Sequence, residues 1–163
     1  LILVPGVASA QSYAIDRGSL LVDGVASFSS TGSDEGDDRN MVLQLQPSLQ
    51  YSVIPGLALG GDVLPRRSSF DGESDTTYGV GPTISYFFGG EERKIYPFVS
   101  GGVQYFRSDD TDTFGYNVSG GAVVMLTGGV GINGELYYQD WDYGDLGDSN
   151  VFGLAFGISA FVF

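Results

Sequence analysis

The stretch LQLQPSLQYSV (residues 43–53) decides the fold class, because it alternates strictly between two kinds of side chain. Leu43, Leu45, Pro47, Leu49, Tyr51 and Val53 fall on one phase, and Gln44, Gln46, Ser48, Gln50 and Ser52 on the other. A period of two is that of a β-strand. The same split recurs at 77–88, where Tyr78, Val80, Pro82, Ile84, Tyr86 and Phe88 oppose Thr77, Gly79, Gly81, Thr83, Ser85 and Phe87.

Working outward from these two segments, turn signals cut the chain into eight predicted strands, at 19–29, 41–53, 57–65, 77–88, 95–106, 114–126, 130–140 and 151–163. Each is about the ~10 residues that a tilted strand needs to cross a bilayer. The connections 54–56, 89–94 and 127–129 are short, whereas 30–40, 66–76, 107–113 and 141–150 are longer. Short and long connections thus fall on opposite ends, as in barrels with short periplasmic turns and long extracellular loops.

Period two also fits a soluble, lipocalin-like barrel with its apolar face inside. Face content separates the two. The polar phases carry Ser, Thr, Gln, Asn and Gly with almost no Lys or Arg, which suits a narrow lumen better than a water-facing surface. The expected fold is therefore all-β, an eight-stranded antiparallel up-and-down transmembrane β-barrel, with a soluble binding barrel as the alternative. Phe28, Tyr78, Phe88, Tyr96, Tyr105, Phe114, Tyr116, Tyr138 and Trp141 cluster near strand ends and are expected to form interfacial girdles. Pro47, Pro82 and Pro97 interrupt strands, and bulges are the expected accommodation. Strand eight is apolar on both phases: Phe161 and Phe163 fit one, Phe156 and Ile158 the other.

Composition bounds the rest. The chain has 163 residues, 26 of them glycine where average usage gives roughly 11. One domain is expected at 11–163, after a leader remnant at 1–10 that ends in the small-residue cleavage pattern Ala8-Ser9-Ala10. With no Cys and no His, disulfides, thiolate nucleophiles, Cys/His metal sites and the usual general base are unavailable, so no enzyme activity and no cofactor is expected. A net charge of −13, from 20 acidic and 7 basic residues, argues against nucleic acid.

Four segments, LQPSLQYSVIPGLALGG (45–61), IYPFVSGGVQYF (95–106), YNVSGGAVVMLTGGVGINGELYYQ (116–139) and the terminal FVF, resemble in order and spacing the OmpA/OmpX-like outer-membrane β-barrel domain family. The resemblance covers essentially all of 11–163. It implies a porin-like barrel in the outer membrane of a Gram-negative cell, monomeric, with both termini periplasmic and with outer-membrane lipid and lipopolysaccharide around it. It also implies the barrel-assembly machinery as a partner in biogenesis, with Phe161 and Phe163 as the assembly signal. Ala-Phe-Val precedes Phe163 where a polar or basic penultimate residue is more usual in the family. Members serve as adhesins, anchors, stress-related barrels and narrow channels, so the resemblance carries fold and location further than activity.

Fourteen of the 20 carboxylates fall on or beside the four long connections, with Arg39, Arg66, Arg67 and Arg107 the only basic residues there, a balance of 4 − 14 = −10. Such a fringe solvates loops, or holds divalent cations. Asp140, Asp142, Asp145 and Asp148 are the candidate metal ligands, although their spacing is not that of an EF-hand loop. On the assigned phases Asp23, Asp62 and Glu135 point into the lumen, with Gln44, Gln104, Asn117, Asn133, Tyr137 and Gln139 as expected partners. They suggest either a structural polar filling or a narrow cation-preferring channel. The Gly129–Gly134 run matches G-x-G-x-x-G but opens a strand and not a helix, so no nucleotide site is expected. The expected role is structural or surface-interacting.

Overall fold

The computed structural model describes residues 15–32, 39–70, 73–89, 93–108, 111–142 and 148–162. Eight antiparallel strands close into one barrel in the order β1 to β8. They are β1 (Leu20–Gly32), β2 (Arg39–Ile54), β3 (Leu57–Phe70), β4 (Glu73–Phe87), β5 (Ile95–Ser108), β6 (Thr111–Met125), β7 (Val130–Asp142) and β8 (Asp148–Val162). The up-and-down antiparallel barrel expected from period two is what forms, and no helix occurs among the described residues.

The turn end of the barrel holds the short connections; the other is the loop end. The turn-end strand boundaries match the predicted ones closely, but at the loop end the strands run further. β3 and β4 pair out to Phe70↔Glu73, and β5 and β6 out to Ser108↔Thr111. The polar residues there read as loop, yet antiparallel pairing needs only backbone groups and continues above the apolar band. Glu73, Asp75, Asp112, Asp140, Asp142 and Asp148 are accordingly strand residues.

Wall polarity is the reverse of a soluble barrel's. Leu45, Leu49, Val63, Val80, Ile84, Val99, Val103, Val118, Ile132 and Leu136 are exposed on the outside, while Gln44, Gln50, Ser52, Asp62, Thr83, Ser85, Gln104, Asn133, Gln139 and Ser159 are buried inside. The lipocalin-like alternative requires the opposite. Strand eight resolves the same way: Phe152, at 71% exposed, and Leu154, Phe156, Ile158 and Val162 point out, and Ala155, Ser159 and Phe161 point in. Phe161 packs against Phe87 at 6.3 Å. Phe163 lies outside the described residues.

Two girdle expectations are overturned. Tyr96 and Trp141 are buried in the lumen. Each shares the parity of inward neighbours, Phe98 with Tyr96 and Gln139 with Trp141, so strand phase outweighs position near a strand end. Tyr78, Phe88, Phe114 and Tyr116 do face outward; the Phe28 side chain lies outside the described residues.

The prolines also behave differently from expectation. Ladder pairs stop at Gln44↔Arg66 and resume at Ser48↔Asp62 around Pro47, in the same register. They stop at Val80↔Tyr105 and resume at Thr83↔Gly102 beside Pro82, again without a shift. A missing N–H is thus met by skipping pairs, not by bulging. Pro97 sits in an unbroken register with Ala122, and the β2–β3 shift lies at Ser52/Ile54.

Candidate functional site: a chamber between two plugs

The inward residues form three tiers. At the turn end Ile15, Leu21, Ala58, Phe87, Tyr96, Phe98, Val123, Met125 and Phe161 pack into an apolar plug. Residues 15–19 run beneath it, and the Gly56 N–H donates to the Ile15 carbonyl at 3.1 Å. At the loop end Leu64, Phe106 and Trp141 form a second plug. Val25, Tyr137 and Ala155 pack together between the two.

Glycines make room for the rings. An added Cβ on Gly79 would fall 2.1 Å from the Phe106 ring, and one on Gly153 would fall 2.6 Å from the Tyr137 ring. Each ring therefore lies flat over bare backbone of the neighbouring strand, so glycine in these strands is a packing requirement.

Between the plugs lies a polar chamber with about 40 Å³ of room for water centres, enough for roughly three waters at ~10–15 Å³ each. All three predicted lumen carboxylates line it, and none of the described side chains around it is basic. Each carboxylate has its own donors. Asp23 Oδ1 accepts from Asn133 Nδ2 at 2.6 Å and from the Ser159 hydroxyl at 3.0 Å, and Asn133 Nδ2 also donates to Ser159 Oγ at 2.9 Å. Asp62 Oδ2 accepts from Gln46 Nε2 at 2.5 Å and Gln104 Nε2 at 2.9 Å. Glu135 Oε2 accepts from the Ser119 hydroxyl at 2.9 Å.

Of the expected partners, Gln104 and Asn133 reach carboxylates, whereas the Tyr137 hydroxyl donates to Ser27 at 3.2 Å. Gln46, Ser119 and Ser159 were missed. All three have inward parity, but which inward residue meets which carboxylate depends on register, and a single strand's pattern does not contain it.

Of the four candidate metal ligands, only the Asp140 side chain is among those described. Asp140 sits on the outward phase at the loop end, where its Oδ2 accepts from the Tyr116 hydroxyl at 2.9 Å and the Tyr138 hydroxyl at 3.0 Å. Asp142 pairs in register with Asp148, and Asp145 lies outside the described residues. Among the described residues no group of three acidic side chains could hold a metal ion together. Asp34, Glu35, Asp37, Asp38, Asp71, Asp109 and Asp110 also lie outside them.

No family model matches the sequence, and no curated protein matches it. Solved structures do. Neisserial surface protein A (NspA) is similar at 18% identity and a TM-score of 0.67, over 88% of this chain and 99% of that one. A de novo designed transmembrane β-barrel is similar at 20% identity and a TM-score of 0.55, over 91% of this chain and 99% of that one. The outer membrane protein OprG from Pseudomonas aeruginosa is similar at 13% identity and a TM-score of 0.54, over 93% of this chain and 98% of that one. At these identities the likeness is one of architecture, and it extends to a barrel designed from nothing. Closed eight-stranded topology, apolar-out wall and likeness together give this chain the fold of the small transmembrane β-barrels, the fold to which its OmpA/OmpX-like sequence features pointed.

Proposed function

We propose that this chain is an integral barrel of the bacterial outer membrane with a structural or surface-interaction role. In this reading its turn end and both termini face the periplasm, and its loop end faces the outside. The observation that carries the reading is the lumen packed by an apolar cluster toward each end, with about 40 Å³ of room between them. A barrel so filled works through its rim, and in the sequence fourteen of the 20 carboxylates fall on or beside the four long connections. Lipid and lipopolysaccharide surround the exposed apolar band, and the barrel-assembly machinery is the partner in biogenesis. Divalent cations are the rim's candidate ligands, since hard cations favour carboxylate oxygens. Protease shaving of intact cells tests this: cuts should fall within the four loop-end connections and spare the strands. Intact connections on an otherwise digestible surface count against it.

One observation favours a second reading, a narrow cation-preferring conduit. Three carboxylates line the chamber without a basic neighbour among the described residues. Planar-bilayer recording of refolded protein tests it: no conductance above background, or none altered by Glu135→Gln, rejects the conduit.

A further inference from the structure

The outward wall carries a carboxylate. Asp140 sits half-buried on the lipid-facing phase of β7, and its Oδ2 accepts from the hydroxyls of Tyr116 and Tyr138 at 2.9 and 3.0 Å. The centroids of those two rings are 6.4 Å apart. Beside them a shallow groove with about 580 Å³ of room crosses β3 to β6, its apolar walls made by Leu59, Pro82, Ile84, Val103, Tyr116 and Val118. Tyr116 belongs to both features.

Gly101 is why the wall is hollow there. It lies on the outward phase, paired with Ile84 on one side and Val118 on the other. A Cβ on Gly101 would meet only the Asn117 carbonyl oxygen, at 3.6 Å, so the space over it is open.

Register sets the direction of the groove. The row Leu20↔Tyr51↔Leu59↔Ile84↔Gly101↔Val118↔Tyr138↔Phe152 circles the barrel from β1 to β8. Across the closing seam Leu20 pairs with Val162, ten positions (162 against 152) nearer the turn end than Phe152. Rows therefore climb toward the loop end from β1 to β8, and descend from β7 back to β3. Four strand spacings of ~4.8 Å make a path of about 19 Å from β7 to β3, which at a tilt of ~45° descends about 13 Å. One leaflet's share of the hydrocarbon core is ~15 Å. The charge thus stands at the loop end of the path and the apolar groove runs below it, the layout of a single lipid.

An ionised carboxylate on a lipid-facing phase favours a partner of opposite charge. No Lys or Arg stands in this row, nor among Gly61, Pro82, Val103, Tyr116 and Asp140 of the outward row above it. A bare phosphate is repelled by the carboxylate, whereas an ammonium gives it charge-assisted N–H bonds and suits the faces of two tyrosine rings. We propose that the groove holds one membrane lipid whose headgroup carries a protonated primary amine, with the ammonium on Asp140 beside Tyr116 and Tyr138 and an acyl chain over Gly101. The inference rests on the membrane placement argued above, and not on which leaflet the loop end meets.

The test uses the full chain refolded into detergent micelles and titrated with phosphatidylethanolamine, or with phosphatidylcholine or phosphatidylglycerol of the same acyl chains. Native mass spectrometry counts the lipid retained. One phosphatidylethanolamine should be retained at a roughly five-fold lower concentration than either comparison lipid. Asp140→Asn should remove that preference, and Gly101→Leu, which fills the groove, should weaken retention of all three. Heat-modifiable gel mobility checks that each variant is folded, and if Asp140→Asn is not, Gly101→Leu decides. Equal retention of the three lipids by the parent, a preference kept in Asp140→Asn, or undiminished retention in Gly101→Leu overturns the proposal. So does a phosphatidylglycerol preference that depends on Mg²⁺, which would assign Asp140 to a bridged phosphate. A chain that inserts into vesicles of no composition fails the membrane placement itself, a result distinct from all of these.

Discussion

The rings of Phe106 and Trp141, from β5 and β7, pack at 4.1 Å with a 36° tilt at the loop end of the lumen. Phe106 keeps that pose because Gly79 has no side chain beneath it. Gly79→Ala therefore overpacks the plug and should destabilise the barrel by about 1–3 kcal/mol in urea unfolding from lipid vesicles. In a Phe106→Leu background the same change should cost clearly less. Equal costs in both backgrounds reject the coupling.

The outward wall makes a depth-dependent prediction. Val118 sits midway along β6 and is exposed, whereas Leu126 follows its turn-end terminus. Val118→Lys should cost about 2–4 kcal/mol in folding into vesicles, and Leu126→Lys about 0–1 kcal/mol. A soluble barrel would tolerate Lys at both positions, so a negligible cost at Val118 contradicts the membrane reading.

Two plugs in series set what is needed to open the lumen. The triple change Phe87→Ala, Phe98→Ala and Phe161→Ala removes three rings from the turn-end plug but leaves Phe106 and Trp141 in place. It should give no more bilayer conductance than the parent. Adding Phe106→Ala and Trp141→Ala should raise it. Conductance from the triple variant alone would show that the loop-end plug does not seal.

Asp23 joins β1 to β7 and β8 through Asn133 and Ser159. Asp23→Ala removes the shared acceptor and should cost about 1–3 kcal/mol. Asp23→Asn keeps an acceptor oxygen and should cost less. The ranking, read from urea midpoints at constant slope, checks the network.

Much of this was legible in single strands. The alternation at 43–53 gave strand and phase, the phase of 57–65 gave the inward pointing of Asp62, and the succession of short and long connections separated the turn end from the loop end. What was not legible is whatever depends on two strands at once. Trp141 and Tyr96 read as girdle residues because position in the sequence is visible and the lumen is not. Gln46 and Ser119 went unassigned for the same reason: their partners lie 16 residues away in both cases, fixed by hairpin register. The proline gaps escaped because a bulge and a skipped pair have identical sequences and differ only in the partner strand. Strand eight had no polar alternation to read, and its phase came from β1 and β7.

That last dependence gives Asp23 a second consequence. β1 and β8 meet over seven pairs, Leu20↔Val162 to Ala26↔Phe156, against thirteen between β1 and β2. A one-residue slip at this junction would turn Phe156 and Ile158 inward and is forbidden by polarity. Polarity does not forbid a two-residue slip, since Ala155, Gly157, Ser159 and Phe161 all share the inward phase. Only one offset, however, sets a hydroxyl opposite the Asp23 carboxylate; its neighbours present Gly157 or Phe161. The first and last strands, the most distant in the chain, are thus matched by one half-buried acid that reads a serine.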